Sequence, residues 1–142
     1  MIRRAHLLVA CALLAISVPL KGTAEDTSSK EINIGFGVLL DGSDPIAGTA
    51  ICEIGKSCRL VDKESPKIRV EVTPAYESGT LVTEMRVRCE PDCSLASGQS
   101  RMRLQSQREL DLFSGKETGI FTLLVSKPRK TIGKILLIYP DH

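Results

Sequence analysis

Tryptophan is absent from this 142-residue chain, and two tyrosines and three phenylalanines are all the aromatic residues it has. A sugar site built on a stacked indole is excluded, leaving Tyr76 and Tyr139 as the larger rings. Each falls at the end of a predicted strand, where a half-buried ring with its hydroxyl in water is the ordinary arrangement. Histidine is almost as scarce. His6 lies in the N-terminal leader and His142 is the last residue, so the body of the chain offers no imidazole as general base or metal ligand. Serine–histidine and cysteine–histidine catalysis are excluded with it. No C-x-x-C occurs, which removes a thioredoxin-like redox site. Gly133-Lys134 lacks the upstream glycines of a phosphate loop. Asp41 and Asp44 are suited to a calcium loop by type, but no EF-hand ligand run follows them. Neither a metal nor a cofactor is expected.

The N-terminus reads as a secretory leader. Arg3 and Arg4 form its basic start, an apolar run extends from Leu7 to Leu20, and Gly22-Thr23-Ala24 supplies the small residues before a cut. The run is about 14 residues, short of the roughly 20 that span a bilayer, so residues 1–24 are read as a cleaved signal peptide and the mature form is expected to hold no stable membrane span. A lipoprotein cut before Cys11 would strand most of the apolar run on the product, and the arginine pair is ordinary in any basic start. Residues 25–30 are expected to be a flexible tail and residues 31–142 a single domain. Removing the leader leaves 16 basic against 17 acidic residues, so no global basic field argues for nucleic acid. The expected location is the periplasm or the exterior.

Cys52, Cys58, Cys89 and Cys93 remain. An even number of cysteines in an exported chain reads as two disulfides, and spacings of C-x5-C and C-x3-C fit a zinc site poorly. Four cysteines allow three pairings. Loop-closure entropy favours a long-range link, whereas a five-residue hairpin loop containing Gly55 and a turn at Pro91 favour Cys52–Cys58 and Cys89–Cys93. Geometry is given the greater weight.

Apolar residues recur with a period of two. Ile32, Ile34, Phe36, Val38 and Leu40 alternate with Glu31, Asn33, Gly35 and Gly37; Ile68, Val70 and Val72 alternate with Arg69, Glu71 and Thr73. Leu81, Thr83, Met85, Val87 and Cys89 share the face opposite Glu84, Arg86 and Arg88. Shorter alternating pieces surround Leu104 and Leu110, while the apolar runs at 120–126 and 134–140 read as central strands buried on both sides. The expected fold is all-β, a small antiparallel β-sandwich or Greek-key barrel of about seven to nine strands. A transmembrane barrel would need aromatic girdles that the chain lacks.

One surface pattern carries a functional expectation. Arg86 and Arg88 share the polar face of one strand, Arg101 and Arg103 that of another, and Arg108 follows. If those strands are neighbours, five guanidinium groups line an anion-binding strip, unless nearby acids such as Glu71, Glu84, Glu109 and Asp111 pair with them. A second basic group, Lys127, Arg129, Lys130 and Lys134, is placed in the last predicted hairpin, where charge suits either an anionic contact or solubility. The expected function is that of an exported, non-enzymatic binding module of the bacterial cell envelope, its partner a protein or an anionic envelope polymer. The alternative is a carboxylate-dependent hydrolase of envelope glycan, which would need two acids facing one another across a cleft.

Overall fold

A computed structural model of the chain describes residues 30–116 and 129–140. The expected signal peptide, most of the expected N-terminal tail, the strand expected at 120–126, Lys127 and His142 lie outside the described residues. Among the described residues there are nine strands and no helix: β1 (Glu31–Leu40), β2 (Ile46–Glu53), β3 (Cys58–Glu64), β4 (Lys67–Glu77), β5 (Thr80–Glu90), β6 (Cys93–Ser94), β7 (Arg101–Leu104), β8 (Glu109–Ser114) and β9 (Thr131–Ile138). They form two antiparallel sheets. The first has the order β2-β1-β9-β8-β6 and the second β3-β4-β5-β7.

The alternation that predicts the strands also builds the core. Ile34 and Val38 of β1, Leu112 of β8, and Ile135 and Leu137 of β9 are buried from one sheet. Val70 and Val72 of β4, Met85 and Val87 of β5, and Leu104 of β7 meet them from the other. Each such side chain removed from water contributes roughly 1.5–3 kcal/mol, so the inward face of every long strand is committed to stability. What the protein offers to others must lie on outward faces, edges and loops.

Sulfur closes both ends of the chain's second hairpin region. Cys52 is bonded to Cys58 across the turn from β2 to β3, and Cys89 to Cys93 across the turn from β5 to β6. Each link therefore sits where the chain crosses from one sheet to the other. The link has a backbone counterpart at the first turn, where Gly55, at φ +83°, donates its N–H to the Pro74 carbonyl at 2.7 Å.

β9 departs from the sequence expectation. It is central, hydrogen-bonded to β1 on one side and β8 on the other, but it is buried on one face only. Ile138 is 61% exposed, and with Ile51 (71%) and Leu39 (40%) it leaves apolar surface on the outside of the first sheet. An apolar run reads as doubly buried because sequence gives hydrophobicity without saying whether a second layer exists.

Arg129 is the other departure. Its guanidinium donates to Ser94 Oγ at 2.7 Å and to the carbonyls of Leu95 and Ala96 at 3.0 and 2.8 Å, and stacks over the Phe113 ring at 4.9 Å. This cation fastens the loop after β6 to the sheet, and Lys134 is paired with Glu109 and Asp111. Two members of the second basic group are thus consumed by the fold itself.

Candidate functional site

The outward face of the second sheet carries the charge. Pairing between β5 and β7 sets Arg86 directly opposite Arg101 and Glu84 opposite Arg103. Pairing between β4 and β5 sets Arg69 opposite Arg88, and Glu71 opposite Arg86. Two arginine pairs therefore lie side by side, Arg86–Arg101 and Arg88–Arg69, one step of the pleat apart. Directly opposed residues in an antiparallel pair have Cβ atoms about 4.5–5.5 Å apart, and i, i+2 neighbours about 7 Å. The four guanidinium groups form a stepped row across three strands, Arg69–Arg88–Arg86–Arg101, with Glu71 filling the position opposite Arg86 on β4, and like charges directly opposite one another destabilise a sheet.

Acids surround the row and neutralise part of it. Arg101 pairs with Glu84 at 3.1 Å, and Arg103 with Glu77. Arg69 pairs with Asp62 at 3.1 Å, and Asp62 also holds Arg59 at 3.0 Å. Lys67 pairs with Glu90. The hydrogen bond and the charge of Glu90 raise the Lys67 pKa above its usual 10.5, and those of Asp62 raise Arg69 in the same way. Arg86 and Arg88 make no ion pair among the described residues. They carry no salt bridge of their own, although Glu71 faces Arg86 across the β4–β5 pair, and Arg88 borders a shallow cavity of about 230 Å³ whose wall holds Lys67 and Arg69 together with Asp62, Glu64 and Glu90.

Of the five arginines singled out by the sequence, four share this face. Arg108 does not. It lies in the loop between β7 and β8, where its carbonyl accepts the Leu137 N–H at 2.8 Å, and it lines a separate cavity beside the turn from β4 to β5. The alternation that aligns Arg101 and Arg103 ends at Leu104, and parity carries no information through a loop. Arg69 and Arg59 were not among the sequence candidates. Both occupy polar positions of predicted strand segments, but only the register, which parity does not give, brings them beside Arg88 and Glu71.

The acids singled out by the sequence are separated. Among the described residues Asp44 is the single carboxylate lining a cavity of about 860 Å³ between the start of β2 and the end of β3. Asp41 lines a different cavity of about 210 Å³ with Glu90 and Asp92; there Glu90 is paired with Lys67, and Asp92 with Lys116 at 2.8 Å. Among the described residues no group of three or more histidine, cysteine, aspartate or glutamate side chains could hold a metal ion, and no helix is long and apolar enough to cross a membrane.

The two tyrosines differ. Lys30 lies over the Tyr76 ring at 4.4 Å. Tyr139, expected to keep its hydroxyl in water, has it buried and without a hydrogen-bond partner. Burial raises its pKa above the usual 10.0; Thr83 and the Arg108 guanidinium pull it back, without a well-formed hydrogen bond from either. No family model, curated protein or solved structure matches this chain.

Proposed function

We propose that the protein is an exported, non-enzymatic binding module of the bacterial cell envelope that engages an anionic partner through the outward face of its second sheet. The observation that carries this reading is the pair of opposed arginines, Arg86–Arg101 and Arg88–Arg69, with Arg86 and Arg88 lacking acidic partners among the described residues. A fold gains nothing by setting like charges opposite one another twice in succession. A ligand bearing carboxylates or phosphates turns that cost into binding energy, because each guanidinium presents a planar fork that matches such groups. Two disulfides at the crossings between sheets suit an oxidising compartment outside the cytoplasm. Asp44 lines one cavity and Asp41 another, and the two acids that share the wall with Asp41, Glu90 and Asp92, are each held by a lysine, which gives a glycan hydrolase no comparable support.

Retention on immobilised polyglutamate tests the proposal. The disulfide-bonded protein is expected to be retained at low salt and released as ionic strength rises, and a variant with Arg86, Arg88, Arg101 and Arg103 replaced by Gln is expected to pass through. Retention that is unchanged by the four substitutions, or insensitive to salt, refutes it.

A further inference from the structure

Beside the turn from β4 to β5 lies a cavity of a different kind. The turn into β5 contributes Thr80 and Leu81, the loop between β7 and β8 contributes Ser106 and Arg108, and Tyr139 and Pro140 follow β9; together they border about 400 Å³. Among the described residues no carboxylate lines it. Arg108 makes no ion pair among the described residues, and its backbone is fixed by the Leu137 N–H, so the guanidinium starts from a rigid base. The volume falls within the roughly 300–1,000 Å³ of small-molecule sites, where a few convergent polar groups set among apolar walls fix a ligand's orientation.

We propose that this cavity is a second, separate site that takes a small carboxylate with a short apolar tail. Arg108 holds the carboxylate, the hydroxyls of Thr80 and Ser106 supply neutral donors beside it, and Leu81, the Tyr139 ring and Pro140 cover the tail. Each part of the ligand follows from the wall it meets. A single cation, with no acid on the wall among the described residues, balances one negative charge rather than the two of a phosphate monoester, and an amine finds no anion among them. Arg108 is an exposed side chain on the cavity wall, open to a ligand arriving from solution. Arg108 is the one sequence-selected arginine that the fold removes from the charged face, so this site does not depend on the reading given to Arg86 and Arg88.

The test is a titration of the disulfide-bonded protein, followed by amide proton–nitrogen correlation spectra, with sodium hexanoate, hexan-1-ol and hexylammonium chloride. Hexanoate is expected to shift the Thr80, Ser106 and Arg108 amides saturably, with hexanol and hexylammonium leaving them in place at the same concentration. R108Q is expected to weaken hexanoate binding about tenfold or more, the usual scale for one charge-assisted hydrogen-bonding group. R86Q/R88Q is expected to bind hexanoate as the parent does. Absence of a saturable hexanoate shift, equal shifts with hexanol, undiminished binding by a folded R108Q, or loss of binding in R86Q/R88Q would each overturn the proposal. The three-ligand comparison on the unaltered protein stands even if R108Q does not fold.

Discussion

Replacing Gly133 with alanine tests the packing of the first sheet most sharply. A methyl group on its Cα would lie 2.1 Å from the Leu39 carbonyl oxygen and 3.0 Å from Leu40 Cα. Carbon and oxygen atoms in neighbouring strands approach to about 3.3 Å, so β1 and β9 would have to part by about 1 Å at the point where Gly133 faces Leu40 on one side and Leu112 on the other. When side chains can yield, overpacking costs about 1–3 kcal/mol; here the obstacle is backbone, and a ladder hydrogen bond worth about 1 kcal/mol goes with it. G133A is therefore expected to lose about 4 kcal/mol, a large part of the roughly 5–15 kcal/mol that holds a domain of this size. Gly37 is the control. Its added methyl would meet only Leu136 carbon atoms at 3.7 Å, an ordinary contact, and alanine in a strand gains about 0.5–1 kcal/mol over glycine by restricting the unfolded chain. Urea unfolding with disulfides intact, followed by circular dichroism, is expected to separate the two midpoints by about 2 M or more. A G133A midpoint within about 0.5 M of G37A would refute the packing argument.

Three other outcomes follow from the same geometry. Y139F removes a buried hydroxyl that has no partner and is expected to raise stability by about 1 kcal/mol; a loss of that size would mean the hydroxyl is satisfied in solution. Burial holds the folded-state pKa of Tyr139 above 10.0, so its contribution is present below that value and is lost as pH rises through the folded pKa. Lys67 and Lys134, raised by Glu90 and Glu109, act in the same direction above 10.5. Urea midpoints should fall above about pH 10, less steeply in Y139F. R88Q removes the charge facing Arg69 and is expected to leave stability unchanged or raise it by about 0.2–1 kcal/mol at low salt, the difference shrinking in high salt, while a clear loss counts against the opposed-charge reading. Replacing Cys89 and Cys93 by alanine opens a short loop worth about 2 kcal/mol in the chain-entropy account and truncates the fully buried Cys93 side chain, so the thermal midpoint should drop by several degrees, and one unchanged from the parent would contradict this.

The alternation in β1, β4 and β5 was legible because each has one face in the core, and a period of two then shows in every side chain. β6 was not: Cys93 and Ser94 are too short a piece to show a period, and its place is set by Arg129 reaching across 35 residues to Ser94. Nor was the bulge beside Gly133, where the pairing shifts between Leu112 and Phe113; a lone glycine in an apolar run marks a close approach without naming the neighbour. The candidate site was half legible for the same reason. Parity put Arg86 with Arg88 and Arg101 with Arg103, but whether two strands are neighbours, and which residue faces which, depends on register. Hence Arg69 was missed, and Arg108, grouped with the strand arginines because it follows them in sequence, belongs to the loop between β7 and β8.

The charged face also constrains how its partner is recognised. Arg59, Lys67, Arg69, Arg86, Arg88, Arg101 and Arg103 share it with Asp62, Glu64, Glu71, Glu77, Glu84 and Glu90, so the sum of charge nearly cancels. Beyond a Debye length, about 8 Å at physiological ionic strength, little field remains to draw in a polyanion. Selection must come from contact, where the local excess at Arg86 and Arg88 is felt by groups a few ångströms away. The arginines are therefore unequal. Arg101 and Arg103 already have Glu84 and Glu77, and a ligand must displace those acids to use them; Arg86 and Arg88 ask for no such exchange. R86Q/R88Q is expected to weaken binding to an acidic ligand about tenfold more than R101Q/R103Q, although each removes the same charge. Equal losses from the two double variants would show that the face acts through its total charge, and the row of arginines would then be an accident of register.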